Sequence, residues 1–406
     1  MDQAFDAIVI GAGPAGASAA ILLARAGWRV AVVERATFPR RKVCGECIAA
    51  SNFPLLAALG VGAAINDLAG PPLRRVAVMR GDQAFGAALP PYADARHRWG
   101  RALGREHLDA LLLDQAGRAG ATIFQPFTAR VLQNQPGQAV CEIARVHAAE
   151  RGTLTAPVLI AAQGSWDITP DQHTLTHAPP LGADLVAFKA NFRGAQLDAG
   201  LLPVLCFAGG YGGMVLAGQG AQAAVTLAFC IRRDQLARSR LARPGQRAAQ
   251  AAAATVANAC AGVRRMLAGA QRQGAWLSVG PIRPGIRMPR QGGPAFLVGN
   301  AAGEAHPIIG EGMSMAIQSA WMLAQLLIRQ GRADLDPRAL ARLRRQYAQA
   351  WRRDFAPRIH IAALFAHLAM RPALSGGAAA LIGRFPQLLT HAARWSGKVS
   401  EPAMPA

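Results

Sequence analysis

The first ordered pattern in the chain is a run of four apolar residues, Ala7 to Ile10, too uniform to have a solvent face. Such a run predicts a strand buried on both sides, as in a parallel sheet. Gly11, Gly13 and Gly16 form a glycine turn, and an apolar helical stretch from Ala17 to Ala26 ends at Gly27. A second strand, Arg29 to Val33, closes on Glu34. Strand, glycine turn, helix and strand make one complete β-α-β unit.

Farther along, Leu108, Leu111, Leu112 and Ala116 give Arg105 to Ala119 the spacing of a helix, and Val158 to Ala162 is another buried strand. Between about 183 and 232 the period shortens. Leu185 to Phe192, Gly213 to Leu216 and Ala223 to Cys230 read as strands of a mainly antiparallel sheet. Gln246 to Ala270 reads as one alanine-rich helix, Phe296 to Val298 as a strand, Glu311 to Arg329 as a helix, and the tail from Asp336 as helical. No internal repeat is visible.

The glycine spacing carries chemistry. In Gly11-Ala-Gly13-Pro14-Ala15-Gly16 the first glycine permits the tight turn, the second lets backbone approach a pyrophosphate, and the third lets helix and strand pack closely. The phosphates would sit on the free N–H groups at the positive end of the helix. Glu34, followed by Arg35, stands where a ribose hydroxyl would meet an acceptor. A second segment separates FAD from NAD. Val298-Gly299-Asn300-Ala301-Ala302-Gly303, then His306-Pro307 and Gly310-Glu311-Gly312-Met313, is a strand, a polar turn and a glycine-rich entry into a helix. It could bring Asn300 to a ribityl chain or pyrophosphate and aim a helix N-terminus at the edge of a flavin, where negative charge develops on reduction.

The expected fold is α/β: a Rossmann-like FAD-binding domain, an inserted mainly antiparallel β-sheet substrate domain, and a helical C-terminal cap. The expected boundaries are 1–165 for the first part of the FAD-binding domain, with a small substrate-domain insertion near 76–100. The substrate domain follows at 166–274, the second FAD-binding part at 275–330, and the helical C-terminal region at 331–406.

Composition narrows the partners. The 406 residues are 52% apolar and 17% charged, which suits a packed core. The formal charge of +21 would suit nucleic acid or an anionic membrane. Only Lys42, Lys189 and Lys398 among the 44 basic residues are lysines, however, and no nucleic-acid motif is present, so no nucleic-acid partner is expected. The six cysteines form no regular framework, which fits a cytoplasmic protein. The first residues lead directly into a strand and do not read as a signal peptide, and no apolar run reaches the roughly 18 residues of a spanning helix. Ile359 to Met370, apolar between Arg358 and Arg371, reads either as a C-terminal helix packed on the FAD domain or as a segment making peripheral membrane contact.

Taken together, these motifs resemble the class of FAD-dependent oxidoreductases that contains p-hydroxybenzoate hydroxylase-like monooxygenases, geranylgeranyl reductases and flavin halogenases. The likeness runs through the fingerprint, Arg105-Glu-His-Leu-Asp109, Ala162-Gln163-Gly164-Ser165, Gly209-Gly210-Tyr211-Gly212-Gly213 and the 299–316 segment. Phe38-Pro39-Arg40 with Cys44-Gly45-Glu46 is similar to the geranylgeranyl-reductase branch. Two positions depart from the class: Asn300 stands where aspartate is usual, and Gln163-Gly164 where Asp-Gly is usual. The Trp-x-Trp-x-Ile-Pro motif of tryptophan halogenases is missing.

The resemblance implies FAD held by Gly11, Gly13, Pro14, Ala15, Gly16, Glu34, Arg35, Cys44, Arg105, Gly164, Asn300, Ala301, Pro307, Gly310, Glu311, Gly312 and Met313, with NAD(P)H as a transient reductant and O2 as co-substrate. It implies a monooxygenase that hydroxylates a lipophilic aromatic or polyketide-like substrate through a flavin C4a-hydroperoxide. The alternatives are a reductase of isoprenoid double bonds and a flavoprotein that modifies a partner protein. His306, Glu46 and Tyr211 are the candidate catalytic residues. Each has a structural reading beside it: packing or capping for His306, orienting backbone or FAD for Glu46, core for Tyr211. Cys44 and Cys47 have the spacing of a redox dithiol or an incidental pair in a flavin-facing loop, and no second pair completes a metal site. Leu185, Val186, Phe188, Phe192, Val215, Leu216, Val225, Leu227 and Phe229 suggest an apolar substrate pocket, with about half of them facing it by alternation.

Overall fold

The computed structural model describes residues 2–135, 137–165, 179, 181–374, 376, 377, 384, 387 and 390. Its centre is a five-stranded parallel sheet in the order Phe296–Leu297, Val158–Ala161, Ala7–Ile10, Val30–Val33, Thr122–Phe124. The three inner strands are buried at every residue, as their unbroken apolar runs require. Helices Pro14–Arg25, Arg105–Arg118 and Gly312–Gln330 pack into the same core. A four-stranded sheet, Asp2–Ala4, Arg151–Ala156, Gln138–Arg145 and Phe127–Gln135, adjoins this core.

The second sheet has seven strands. Their order is Gln271–Ile282, Leu185–Arg193, Ala224–Arg232, Gly210–Ala217, Leu201–Phe207, Arg75–Arg80, Gln83–Ala88, and every pair but one is antiparallel. The strand Gln271–Ile282 lies in this sheet, so residues 275–282 belong with it and not with the returning FAD-binding segment expected from 275. Two of its strands come from 75–88, far upstream in sequence.

The expected single helix over 246–270 is two helices, Ala248–Ala259 and Ala261–Met266. A tertiary contact breaks it. The Gly81 turn inserts at Cys260, with Gly81 N–H donating to Ala259 O at 2.8 Å and Ala261 N–H donating to Gly81 O at 2.9 Å. Alanine propensity cannot offset hydrogen bonds that take the helix's own backbone partners.

The first part of the tail forms the helix Pro337–Met370, started by Asp336, whose side chain accepts from Ala339 N–H at 2.6 Å. Tyr347, Trp351, Phe355, Ile359 and Ala362 pack on the parallel-sheet core, and Ala366 and Ala369 on the seven-stranded sheet. The apolar stretch 359–370 is thus the end of a packed helix that ties the two sheets together. Among the described residues no helix is long and apolar enough to cross a membrane.

Candidate functional site

The glycine turn is built to tolerances only glycine meets. Gly11 has φ +100°, and Gly16 approaches the turn so closely that a Cβ on it would lie 1.8 Å from Gly11 O. Gly13 differs. A Cβ there would meet only Arg105 Nη2, at 3.7 Å, so the protein leaves space over this residue. Pro14 and Ala15 open the helix behind it. Glu34 is buried; Oε2 accepts from Ala12 N–H at 2.9 Å and Oε1 from Ala36 N–H at 2.8 Å. A carboxylate oxygen has a second lone pair, so Glu34 can still accept from a ribose. Arg35 is exposed beyond it.

Cations gather beside the open turn. Arg105 holds Asp109 bidentately at 2.7 and 2.8 Å. Arg40 lies 3.7 Å from Asp109 and 3.9 Å from Glu34. Burial, then the guanidiniums of Arg105 and Arg40, lower the Lys42 ammonium to about 8. Its Nζ sits 3.6 Å from where a Cβ on Gly164 would lie. Three cations face two carboxylates at a helix N-terminus with space kept over Gly13, which is the electrostatics a pyrophosphate requires. The residues therefore fit FAD. Arg40 and Lys42 were not among the expected FAD ligands. Their signal was compositional: lysine is rare in this chain, and one of its three lies in the loop before Cys44.

The 299–316 segment forms the other half of the cradle. Asn300 Nδ2 reaches Ser165 Oγ at 3.4 Å, and Ser165 Oγ donates to Glu304 at 2.9 Å. Arg287 binds Asn300 O at 2.6 Å and Glu304 at 3.0 Å. Ala301 and Met313 are buried, Pro307 opens a 3-10 turn, and Gly310 turns the chain with φ +68°. A Cβ at Gly312 would meet nothing within 4 Å, so the first turn of the long helix faces open space. Its positive end suits an anion forming there. Glu311, at that N-cap, is fully buried, with Arg358 Nη1 3.7 Å away.

Cys44 accepts from Glu46 N–H at 3.4 Å, and Cys44 and Cys47 are both free thiols. Glu46 is held at φ +60° and is fully buried. Lys189 Nζ and Arg105 N–H donate to its Oε1, and Thr226 Oγ1 donates to its Oε2. Of the two readings of Glu46, proton transfer and orienting backbone or FAD, its burial and four contacts favour the second, an anchor between the loop and the second sheet. Lys189 stands out in the sequence as a charge on an apolar sheet, but a lysine in an apolar strand gives no local sign of its partner.

His306 and Tyr211 do meet, with Tyr211 Oη 3.0 Å from His306 Nδ1. Burial foremost, then His367, lowers His306 to about 4, and burial raises Tyr211 well above the usual phenol value. Tyr211 Oη and His306 Nδ1 share a hydrogen bond whose direction follows the imidazole tautomer, and Cys230 is a second hydrogen-bond partner of the same phenol. His306 also lines a cavity of about 470 Å³ between the end of the seven-stranded sheet and the C-terminal helix.

Alternation along the sheet is real, and most of the apolar residues named for a pocket fall on one face. Val186, Phe188, Phe192, Leu216, Val225, Leu227 and Phe229 lie in the core beneath helices Arg233–Leu241 to Ala261–Met266. The face toward Glu46 and His306 carries Lys189, Asn191, Thr226 and Tyr211. These seven hold the helices, whereas Leu185, on the other face, lines the cavity beside His306.

The family model described as FAD binding domain matches residues 4–352. The chain belongs to that family. A menaquinone reductase of Mycobacterium tuberculosis is 45% identical to this flavoprotein over 67 residues, which span 16% of each chain. The myxobacterial chondrochloren halogenase CndH, an FAD-dependent halogenase, superposes with a TM-score of 0.76 at 17% identity, covering 100% of this chain and 98% of that one. PqsL of Pseudomonas aeruginosa, solved in complex with 2-aminobenzoylacetate, superposes with a TM-score of 0.64 at 17% identity, covering 92% and 99%. At such identities the two structures share the fold.

A pH prediction follows from His306. Its folded value lies below that of the unfolded chain, so stability is full above about pH 6.5 and is lost as pH falls from there toward about 4. Thermal denaturation across that window should show a falling melting temperature in the wild type and a flatter profile in His306→Gln. Parallel profiles would remove His306 as the cause.

Proposed function

We propose that this flavoprotein is an FAD-dependent monooxygenase that hydroxylates an aromatic or polyketide-like substrate. NAD(P)H serves as a transient reductant and O2 as co-substrate. Bound FAD would supply electron transfer and oxygen activation. The protein's own part is to hold the cofactor with the Gly13 turn and the cations Arg40, Lys42 and Arg105, and to offer the positive end of the Gly312–Gln330 helix to developing negative charge. The observation that carries the reading is the Tyr211–His306 pair, an uncharged hydrogen-bonded couple at the junction of the cavity and the turn leading to Gly312. Such a pair can move a proton without leaving a buried charge. The lipophilic substrate first expected keeps only the cavity's apolar wall, Leu185, Ile282 and Met370, as support. Peripheral membrane contact is supported by Leu364 and Leu374, exposed near the end of the helix Pro337–Met370 and just beyond it.

A second reading, double-bond reduction, is favoured by the Phe38–Glu46 loop and by the likeness to menaquinone reductase. Product analysis decides. The reduced protein is mixed with isotopically labelled O2 and a panel of aromatic and isoprenoid compounds. Labelled oxygen in an aromatic product is the expected result. A product that gains two hydrogens without oxygen uptake would replace the proposal with a reductase, and a halide-dependent product with a halogenase.

A further inference from the structure

We propose that the cavity beside His306 binds the acid group of the substrate, which makes the ligand of this flavoprotein an aromatic or apolar carboxylate. The identity of that ligand as substrate rests on the monooxygenase reading above. The cavity, about 470 Å³, is large enough for a small organic molecule. One wall is apolar, from Leu185 and Ile282 on the sheet and Met370 on the C-terminal helix. The other is cationic, with Arg232, Arg283 and Arg371 and, among the described residues that line it, one acid, Asp184.

Charge bookkeeping singles out two of the arginines. Arg283 is bidentate on Asp184, at 2.9 and 2.8 Å. Arg232 commits Nε and Nη2 to Asp234, at 3.1 and 2.7 Å, and keeps Nη1. Arg371 lines the cavity and has no carboxylate partner among the described residues. His306 is uncharged at neutral pH, and His367 Nδ1 donates to Ala363 O at 2.7 Å. A recess with surplus guanidinium and an apolar wall suits a ligand with one anionic end, because a guanidinium fork pairs with a carboxylate by two charge-assisted hydrogen bonds. A wholly hydrocarbon ligand would dehydrate the arginines with nothing in return. With the acid at Arg371 and the carbon skeleton along Leu185 and Ile282, the other end of the ligand reaches the His306 side.

Calorimetric titration of the holoprotein with naphthoate and with its uncharged methyl ester tests this. Naphthoate should bind at least about tenfold tighter than the ester, and Arg371→Gln should bring the two within about threefold while FAD content is unchanged. Equal affinities, no binding of either probe, or an unaltered ratio in Arg371→Gln would overturn the proposal. Displacement of naphthoate by NADPH would assign the cavity to the reductant and also overturn it. Because binding is read without turnover, a protein that prefers naphthoate yet oxygenates nothing keeps the anion site and loses only the monooxygenase reading.

Discussion

Gly13→Ala is expected to yield a folded chain that no longer holds FAD. The residue has φ −67° and ψ −177°, which alanine adopts freely, and the added methyl would touch only Arg105 at 3.7 Å. The protein therefore loses nothing by the change. What is lost is the approach of backbone to the pyrophosphate, which a methyl over the turn would block. Gly16→Ala is the contrasting variant. Its methyl would lie 1.8 Å from Gly11 O, and relieving that overlap must part the helix from its strand. A cost of about 3 kcal/mol is expected, or a fall in melting temperature on the order of 3–4 °C for a chain of this length. Cofactor stoichiometry and melting temperature, measured together, separate the two. Gly13→Ala should show FAD content below about a tenth of wild type at nearly unchanged apoprotein stability, and Gly16→Ala should lose both. A Gly13→Ala protein that purifies with its full flavin would place the pyrophosphate elsewhere and undo the cofactor assignment.

Lys189→Met should be the most destabilising single change at the junction of the two sheets. Both charges of the Lys189–Glu46 pair are fully buried. Removing one partner of such a pair costs about 3–5 kcal/mol, because the other is left charged and out of water. Thr226 Oγ1 and the backbone N–H of Arg105 would still donate to Glu46, but both are neutral donors, and the Arg105 guanidinium is committed to Asp109. The double variant Lys189→Met with Glu46→Gln removes both charges and keeps an acceptor for those donors. It should recover at least about half of the loss, a coupling that a double-mutant cycle reads directly. Denaturant unfolding of the four proteins gives the values. If Lys189→Met alone costs less than about 1 kcal/mol, or if the double variant is no better than the single, the anchor has been misassigned.

These variants also mark the line between what was local and what was not. The fingerprint was legible because its requirements are met within one β-α-β unit: uniform apolar runs for buried strands, glycines where the backbone turns or approaches, and an acid closing the second strand. The long helix at 246–270 was misread because its break at Cys260 is imposed by the Gly81 turn, almost 180 residues away in sequence. The apolar residues of the sheet were legible as alternating, yet alternation does not say which face a helix will cover. Phe188, Leu227 and Phe229 proved to be core, and Lys189, Thr226 and Tyr211 face the FAD-binding half.

The sequence by itself determined the class of fold, the FAD-binding turn and its acid, and the presence of a second glycine-rich helix entry, because each depends on neighbours a few residues apart. Only the tertiary structure decided the rest. It brought Arg40 and Lys42 to the same anion site as Arg105, joined Tyr211 to His306 across 95 positions, and buried Glu46 against Lys189 across 143. Whether a carboxylate is an acid catalyst or an anchor depends on the charges packed around it and the water left to it. Those are set by residues distant in the chain, so no local pattern could have told Glu46 from a catalytic acid.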